Sequence, residues 1–234
     1  MKNIKLTDIL FYFAFTAVII IAVFFDRKYL AYGLPTMIVS IGVIYFERVV
    51  KINLWYVLSL ISMIICDTLI YTDFVQNFSI ICILTAIYFI SCTLALRRYL
   101  LVRNIKRSTF LSIPILVSSG LVLYLIYAIS QLLIDVVKEA VPEVVVCLMC
   151  STSYILVSYL IYVQDMSKEG LKLLVVAFLC IFIVSLLPIN ELFYSSKIFT
   201  VFINIAHVLS LYLFMKYLIR TTPEKEIHVR ENYL

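Results

Sequence analysis

Glycine and proline are scarce in this chain, at 4 and 5 of 234 residues. No polar stretch is long enough to be a domain. Both absences exclude folds. Buried parallel strands are short and are punctuated by turn residues, so a soluble α/β sheet would lack its breaks here. A transmembrane β-barrel needs stretches of about ten residues with alternating polarity, and none is present. Charge is sparse too, with Asp, Glu, Lys and Arg at 14%. The net charge of +5 is spread over short connections, which argues against nucleic acid as a partner. P-loop, HExxH, Ser-His-Asp and Gly-rich dinucleotide signatures are missing. No cofactor and no metal are expected.

What fills the chain is apolar. Hydrophobic residues make up 64% and the mean hydropathy is +1.09. They gather into eight runs of 17 to 22 residues, at 9–25, 29–46, 52–71, 78–96, 108–129, 144–163, 173–189 and 198–219. A helix of that length crosses a hydrocarbon core of about 30 Å. The expected fold is all-α: a polytopic membrane protein built as one compact bundle of eight transmembrane helices over 1–219. A polar cytoplasmic tail follows over 220–234, and His228 in it is given no role. With the N-terminus placed in the cytoplasm, cytoplasmic segments hold 15 of the 19 Lys and Arg residues. The positive-inside rule therefore puts both termini in the cytoplasm. The run at 9–25 ends in Val23-Phe24-Phe25-Asp26 with no small-residue cleavage site, so it is expected to stay as the first helix.

Two connections have a pattern of their own. Residues 97–107 hold five basic residues, suited to anionic lipid head groups. In 130–143, Leu132, Leu133, Val136, Val137, Ala140 and Val141 form a helical stripe opposite Asp135, Lys138 and Glu139. That segment is expected to lie at the interface or to extend the fifth helix, with Pro142 ending it. Tyr29, Tyr71, Tyr99 and Tyr194 stand near run ends, where an interfacial aromatic belt is expected. Pro35, Pro114 and Pro188 fall within or at the end of runs and can bend them. All six cysteines sit inside runs, where cysteine packs as a small apolar side chain. Cys147 and Cys150 form a CxxC without further ligands nearby.

Ionisable groups inside a bilayer are costly and mark function by default. Asp67 lies about 6 Å below the outer end of the third helix and is a candidate general acid. A paired, structural Asp is the alternative. His207 falls near the middle of the last helix, with Asn204 one turn earlier and Ser210 near the same face; a buried histidine joining two helices is the alternative there. Asn190 and Glu191 follow Pro188 at the outer end of the seventh helix, on the same side as Asp67 and Asp73. Ser151, Tyr154 and Ser158 make a weaker polar stripe on the sixth helix, suited to packing.

Three segments carry a family resemblance. Residues 58–69 (LSLISMIICDTL) resemble a small-residue–Asp motif, with Cys66-Asp67 in place of Gly-Asp. Residues 177–193 (AFLCIFIVSLLPINELF) are similar to an F-x-x-S-D motif, matched by Phe182 and Ser185, with Leu186 where the acid is expected. Residues 205–218 resemble a final helix, with Ala206-His207 in place of Ala-Gln. Together they resemble the YhhN family of eight-helix membrane proteins, of which this chain would be a divergent member; the histidine often found on the fourth helix is missing from 88–96. Some members are lysoplasmalogenases, which cleave the vinyl-ether bond of lysoplasmalogens to a fatty aldehyde and a glycerophospho-base. The resemblance implies acid-catalysed hydrolysis of a lysophospholipid, with membrane lipid as partner, in the inner membrane of a bacterium. Asp67 would donate the proton, Glu191 or His207 would orient water, and Asn190 and Asn204 would bind substrate. The alternative from another class is a non-enzymatic membrane protein: a transporter of lipid or small molecules, or an accessory or sensory subunit. The two differ in whether Asp67, Asn204, His207 and Glu191 converge on one cavity.

Overall fold

A computed structural model describes residues 6–100, 124, 127, 131, 140–164 and 168–221. Seven helices in it are long and apolar enough to cross a membrane. They are α1 (Leu6–Phe24), α2 (Leu30–Arg48), α3 (Leu54–Thr72), α4 (Phe78–Leu96), α5 (Val141–Gln164), α6 (Lys168–Leu192) and α7 (Lys197–Arg220). A 3₁₀ turn, Arg27–Tyr29, joins α1 to α2. Among the described residues there is no strand. The expected span at 108–129 and the tail beyond Thr221 lie outside the described residues, apart from positions 124 and 127.

Each helix packs on the next, and α7 returns to α1 and α2, so the seven close into a ring. Tyr45, Tyr56, Tyr154 and Phe214 fill its interior and are fully buried. The outer surface is apolar as well: Phe13 is 77% exposed, Leu54 77% and Met149 66%. An apolar face that wraps the whole molecule fits lipid and not water. α1 is the most peripheral helix, burying only Phe11, Val18 and Ala22 along one stripe.

The fourth and sixth apolar runs pack against each other, which close packing of sequential neighbours does not predict. α4 and α5 run parallel: Phe78 and Ile81 near the start of α4 line the same cavity as Val144 and Cys147 near the start of α5. Farther along, the rings of Phe89 and Tyr154 meet with centroids 5.6 Å apart. Of the segment 130–143, residues 130 and 132–139 lie outside the described residues; Pro142 stands in the first turn of α5, where a missing N–H costs little.

Small polar groups let the helices approach closely. Ser62 Oγ donates to the Leu84 carbonyl at 2.7 Å, joining α3 to α4. At the α2–α3 turn, Asn53 Oδ1 caps α3 by accepting from Trp55 N at 3.1 Å. Asn53 Nδ2 donates to the Ala95 carbonyl at 3.3 Å, and Tyr45 Oη accepts from Asn53 N at 2.9 Å. This buried residue ties three helix ends together. Asn53→Ala should therefore lower stability in detergent by about 1–2 kcal/mol, read as a lower thermal midpoint. Asn53→Asp should recover part of the loss, because it keeps the cap and loses the bond to Ala95.

Candidate functional site

α3 and α7 run antiparallel on opposite sides of the ring interior, and two polar rungs span the gap between them. In the first, His207 Nε2 lies 2.9 Å from Asp67 Oδ2. In the second, Tyr71 Oη donates to Asn204 Oδ1 at 2.8 Å. Helical spacing explains the pairing: Asp67 and Tyr71 are four apart on α3, and Asn204 and His207 are three apart on α7, so each pair shares a face. All four side chains are buried. The donor in that bond is Nε2–H when the carboxyl is ionised and the carboxylic O–H when Nε2 is bare. Ser210 Oγ donates to the His207 carbonyl at 2.8 Å.

The column continues toward the α1–α2 turn. The Arg27 guanidinium lies 5.8 Å from the centroid of the Tyr71 ring, within cation–π range. It pairs with the Glu191 carboxylate and donates to Ser195 Oγ at 3.2 Å. Asn190 Nδ2 donates to Glu191 Oε1 and to Thr200 Oγ1, each at 3.2 Å. Asn190 Oδ1 accepts from Ser196 N at 3.1 Å. Asn190 therefore organises the α6–α7 turn, and Asp73 does the same at the α3–α4 turn by accepting from Gln76 N at 3.0 Å.

Beside the column lies a narrow cavity of about 90 Å³, smaller than the roughly 300–1,000 Å³ usual for drug-sized ligands. Its walls come from α3, α4, α5, α6 and α7 and are nearly all apolar, with Phe74, Phe78 and Leu187 toward one end. Cys66, Cys82, Cys147 and Cys180 line it, and all six cysteines are free thiols. Pro188 and Val184 also line it; Pro188 has no N–H for the Val184 carbonyl one turn back. His207 and Ser210 bring polar groups to the wall.

Of the residues singled out from the sequence, Asp67 and His207 come together as a pair, and Asn204 stands one turn away. Glu191 and Asn190 occupy the end of the column; of Asp67, Asn204, His207 and Glu191, His207 alone is among the described lining residues of the cavity, so the four do not converge on it. The sequence reading missed two participants. Tyr71, expected in an interfacial belt, turns inward and is 7% exposed, while Tyr29 and Tyr194 stay exposed as that belt requires. Arg27 looked like an ordinary loop cation. Its place in a short basic turn, Arg27-Lys28, between two apolar runs does not distinguish it. Among the described residues, no three His, Cys, Asp or Glu side chains gather closely enough to hold a metal ion.

No family model, curated protein or solved structure matches the chain.

Glu191 is 6% exposed at its side chain and Arg27 29%. Removing the cation leaves a buried carboxylate uncompensated. Arg27→Ala should destabilise by about 3 kcal/mol, the lower end for a buried pair because Arg27 is partly solvated. Arg27→Met with Glu191→Leu should be milder than Arg27→Ala alone, and thermal unfolding of the three proteins compares them.

Proposed function

We propose that this chain is an intramembrane hydrolase of single-chain lipids, of the lysoplasmalogenase type and a divergent relative of the YhhN family. The observation that carries the reading is the buried Asp67–His207 pair with His207 on the wall of an apolar cavity. A vinyl ether is cleaved by adding a proton to its outer alkene carbon, which leaves an oxocarbenium centre beside the ether oxygen. Water adds to that centre and gives up a proton. The resulting hemiacetal collapses to a fatty aldehyde and an alcohol. His207 faces the cavity, so in this scheme it hands the proton to the alkene and takes one back from the added water. Asp67 sits behind it, orients the ring and balances its charge, as an acid–base pair requires. The apolar walls hold the chain and keep bulk water from the charged intermediate. Glu191 and Asn190 set the end of the column, and Asn204 supports the pair.

The parallel run of α4 and α5 supports an eighth span over 108–129. A chain that leaves one end of the bundle at Leu96 and re-enters at the other at Val141 crosses back in between. The end where α2 stops and α3 begins collects Arg48, Lys51, Arg97, Arg98, Lys172 and Arg220, which supports cytoplasmic termini and a site in the outer half of a bacterial inner membrane. Cysteines placed at Arg98 and at Lys28 should then react with an impermeant reagent from opposite sides.

A second reading, a non-enzymatic lipid-binding or transport protein, draws on the same cavity: its lining offers few polar groups besides Thr85, His207 and Ser210. One assay separates the two. Purified protein in neutral detergent is given an alkenyl lysophospholipid, and released aldehyde is measured. Turnover that falls at least about 10²-fold in both His207→Gln and Asp67→Asn is the expected result. Tight binding of the lipid without aldehyde favours the second reading, and unchanged turnover in His207→Gln rules out the proposed chemistry.

A further inference from the structure

The cavity beside the column has two unlike ends. Phe78 and Tyr88 both line it, and ten residues of α4 separate them, about 15 Å along the helix axis. The Phe78 end is hydrocarbon. There the Phe74 and Phe78 rings meet with centroids 5.4 Å apart, and Val144 lies beside them. The Tyr88 end holds polar groups. The Cys180 thiol lies against both the Tyr88 and the Ser210 hydroxyls, and Ser210 is bonded to the His207 carbonyl.

Tyr88 has a donor to spare. It is 3% exposed, and its hydroxyl meets the Cys92 and Cys180 thiols, which are weak acceptors. Among the described residues no nitrogen or oxygen accepts from it. Nor is it sealed off: the fully buried tyrosine hydroxyls without a partner are those of Tyr56 and Tyr154. The Tyr88 hydroxyl therefore opens onto the cavity that its residue lines. His207 adds a second polar group to that wall, because Asp67 occupies Nε2 and leaves Nδ1 over.

Charge and size narrow what fits. Among the described lining residues there is no Asp, Glu, Lys or Arg, so a charged ligand group would be desolvated without a counter-ion. A water-sized group needs about 10–15 Å³ of such space. The cavity of about 90 Å³ thus holds roughly six to nine heavy atoms.

We propose that the cavity binds a short, uncharged alkyl group that ends in an oxygen. The hydroxyl or carbonyl oxygen accepts from the Tyr88 O–H, and the carbons lie toward Phe78. The inference does not rest on the hydrolase reading, because it requires no bond to break.

The test uses the full chain in neutral detergent with ¹³C-methyl methionine. Met63 lines the cavity and is one of 6 methionines; its signal is the one lost in Met63→Leu. Hexan-1-ol should shift that signal saturably. Hexane, compared at equal mole fraction in the micelle, should bind about fivefold more weakly, the worth of one hydrogen bond. Hexan-1-amine, an ammonium at neutral pH, should leave the signal in place. Tyr88→Phe keeps the ring and should weaken hexan-1-ol about fivefold while leaving hexane unchanged. Dodecan-1-ol separates two sources of the group. If it displaces hexan-1-ol, the site takes the end of a long chain; if it is excluded, the site takes a free short alcohol, and both results keep the oxygen at Tyr88. No saturable shift, equal binding of hexan-1-ol and hexane, or binding of hexan-1-amine overturns the proposal in the unmutated chain, whether or not Tyr88→Phe folds. Unchanged hexan-1-ol affinity in folded Tyr88→Phe overturns it too. Each of these failures leaves the aldehyde assay untouched.

Discussion

Asp67 and His207 meet at 2.9 Å inside a bundle that is otherwise packed with apolar side chains. Neither would be tolerable there alone, because an unpaired buried polar group costs several kcal/mol and an isolated charge far more. Pairing sets the rotation of both helices. With Asp67 turned toward α7, residues Met63, Cys66, Ile70 and Phe74 turn toward the cavity, and the outward positions on α3 are left to Ile61 and Ile65, which are exposed. The second rung, Tyr71 to Asn204, then fixes the register. A slip of one residue on either helix would rotate its polar face by about 100° and break both rungs together.

The Arg27–Glu191 pair extends the same logic to the end of the bundle. It joins the α1–α2 turn to the end of α6, elements that are distant in sequence, and it does so over the Tyr71 ring. The polar groups of the interior thus form one column from a solvated end to the middle, while the opposite end is held by separate surface pairs, Arg48 with Asp8 and Lys172 and Arg220 with Glu169. These pairs are partly exposed on both sides, whereas Glu191 is nearly buried, and ion pairs weaken as solvent reaches them. The buried column therefore carries more of the specificity of the fold than the surface pairs do.

The seven described helices coincide closely with runs read from hydropathy, because the length of an apolar stretch is a local property. The pairing of Asp67 with His207 is not local: the two are 140 positions apart, and nothing in either segment names the other. That Asp67 and His207 are polar inside lipid made them candidates singly; only the ring closure of α7 onto α1 and α2 brings His207 across to α3. Tyr71 was misread for the opposite reason. Its place near a run end suggests the interface, yet the rotation imposed by Asp67 one turn earlier carries it inward.

The cavity and the polar column occupy neighbouring faces of the same helices. On α3, positions 63, 66 and 70 point roughly 90° away from 67 and 71 at 100° per residue. On α7, Asn204 falls on the column side, Ser210 on the cavity side and His207 between them. His207 accordingly belongs to both: one nitrogen meets Asp67, and its ring lines the cavity. A ligand in the cavity reaches the carboxyl only through the imidazole. This division keeps the carboxyl away from hydrocarbon, gives it partners on its own side, and leaves the imidazole as the single titratable group, among the described lining residues other than thiols and Tyr88, that an apolar ligand would touch.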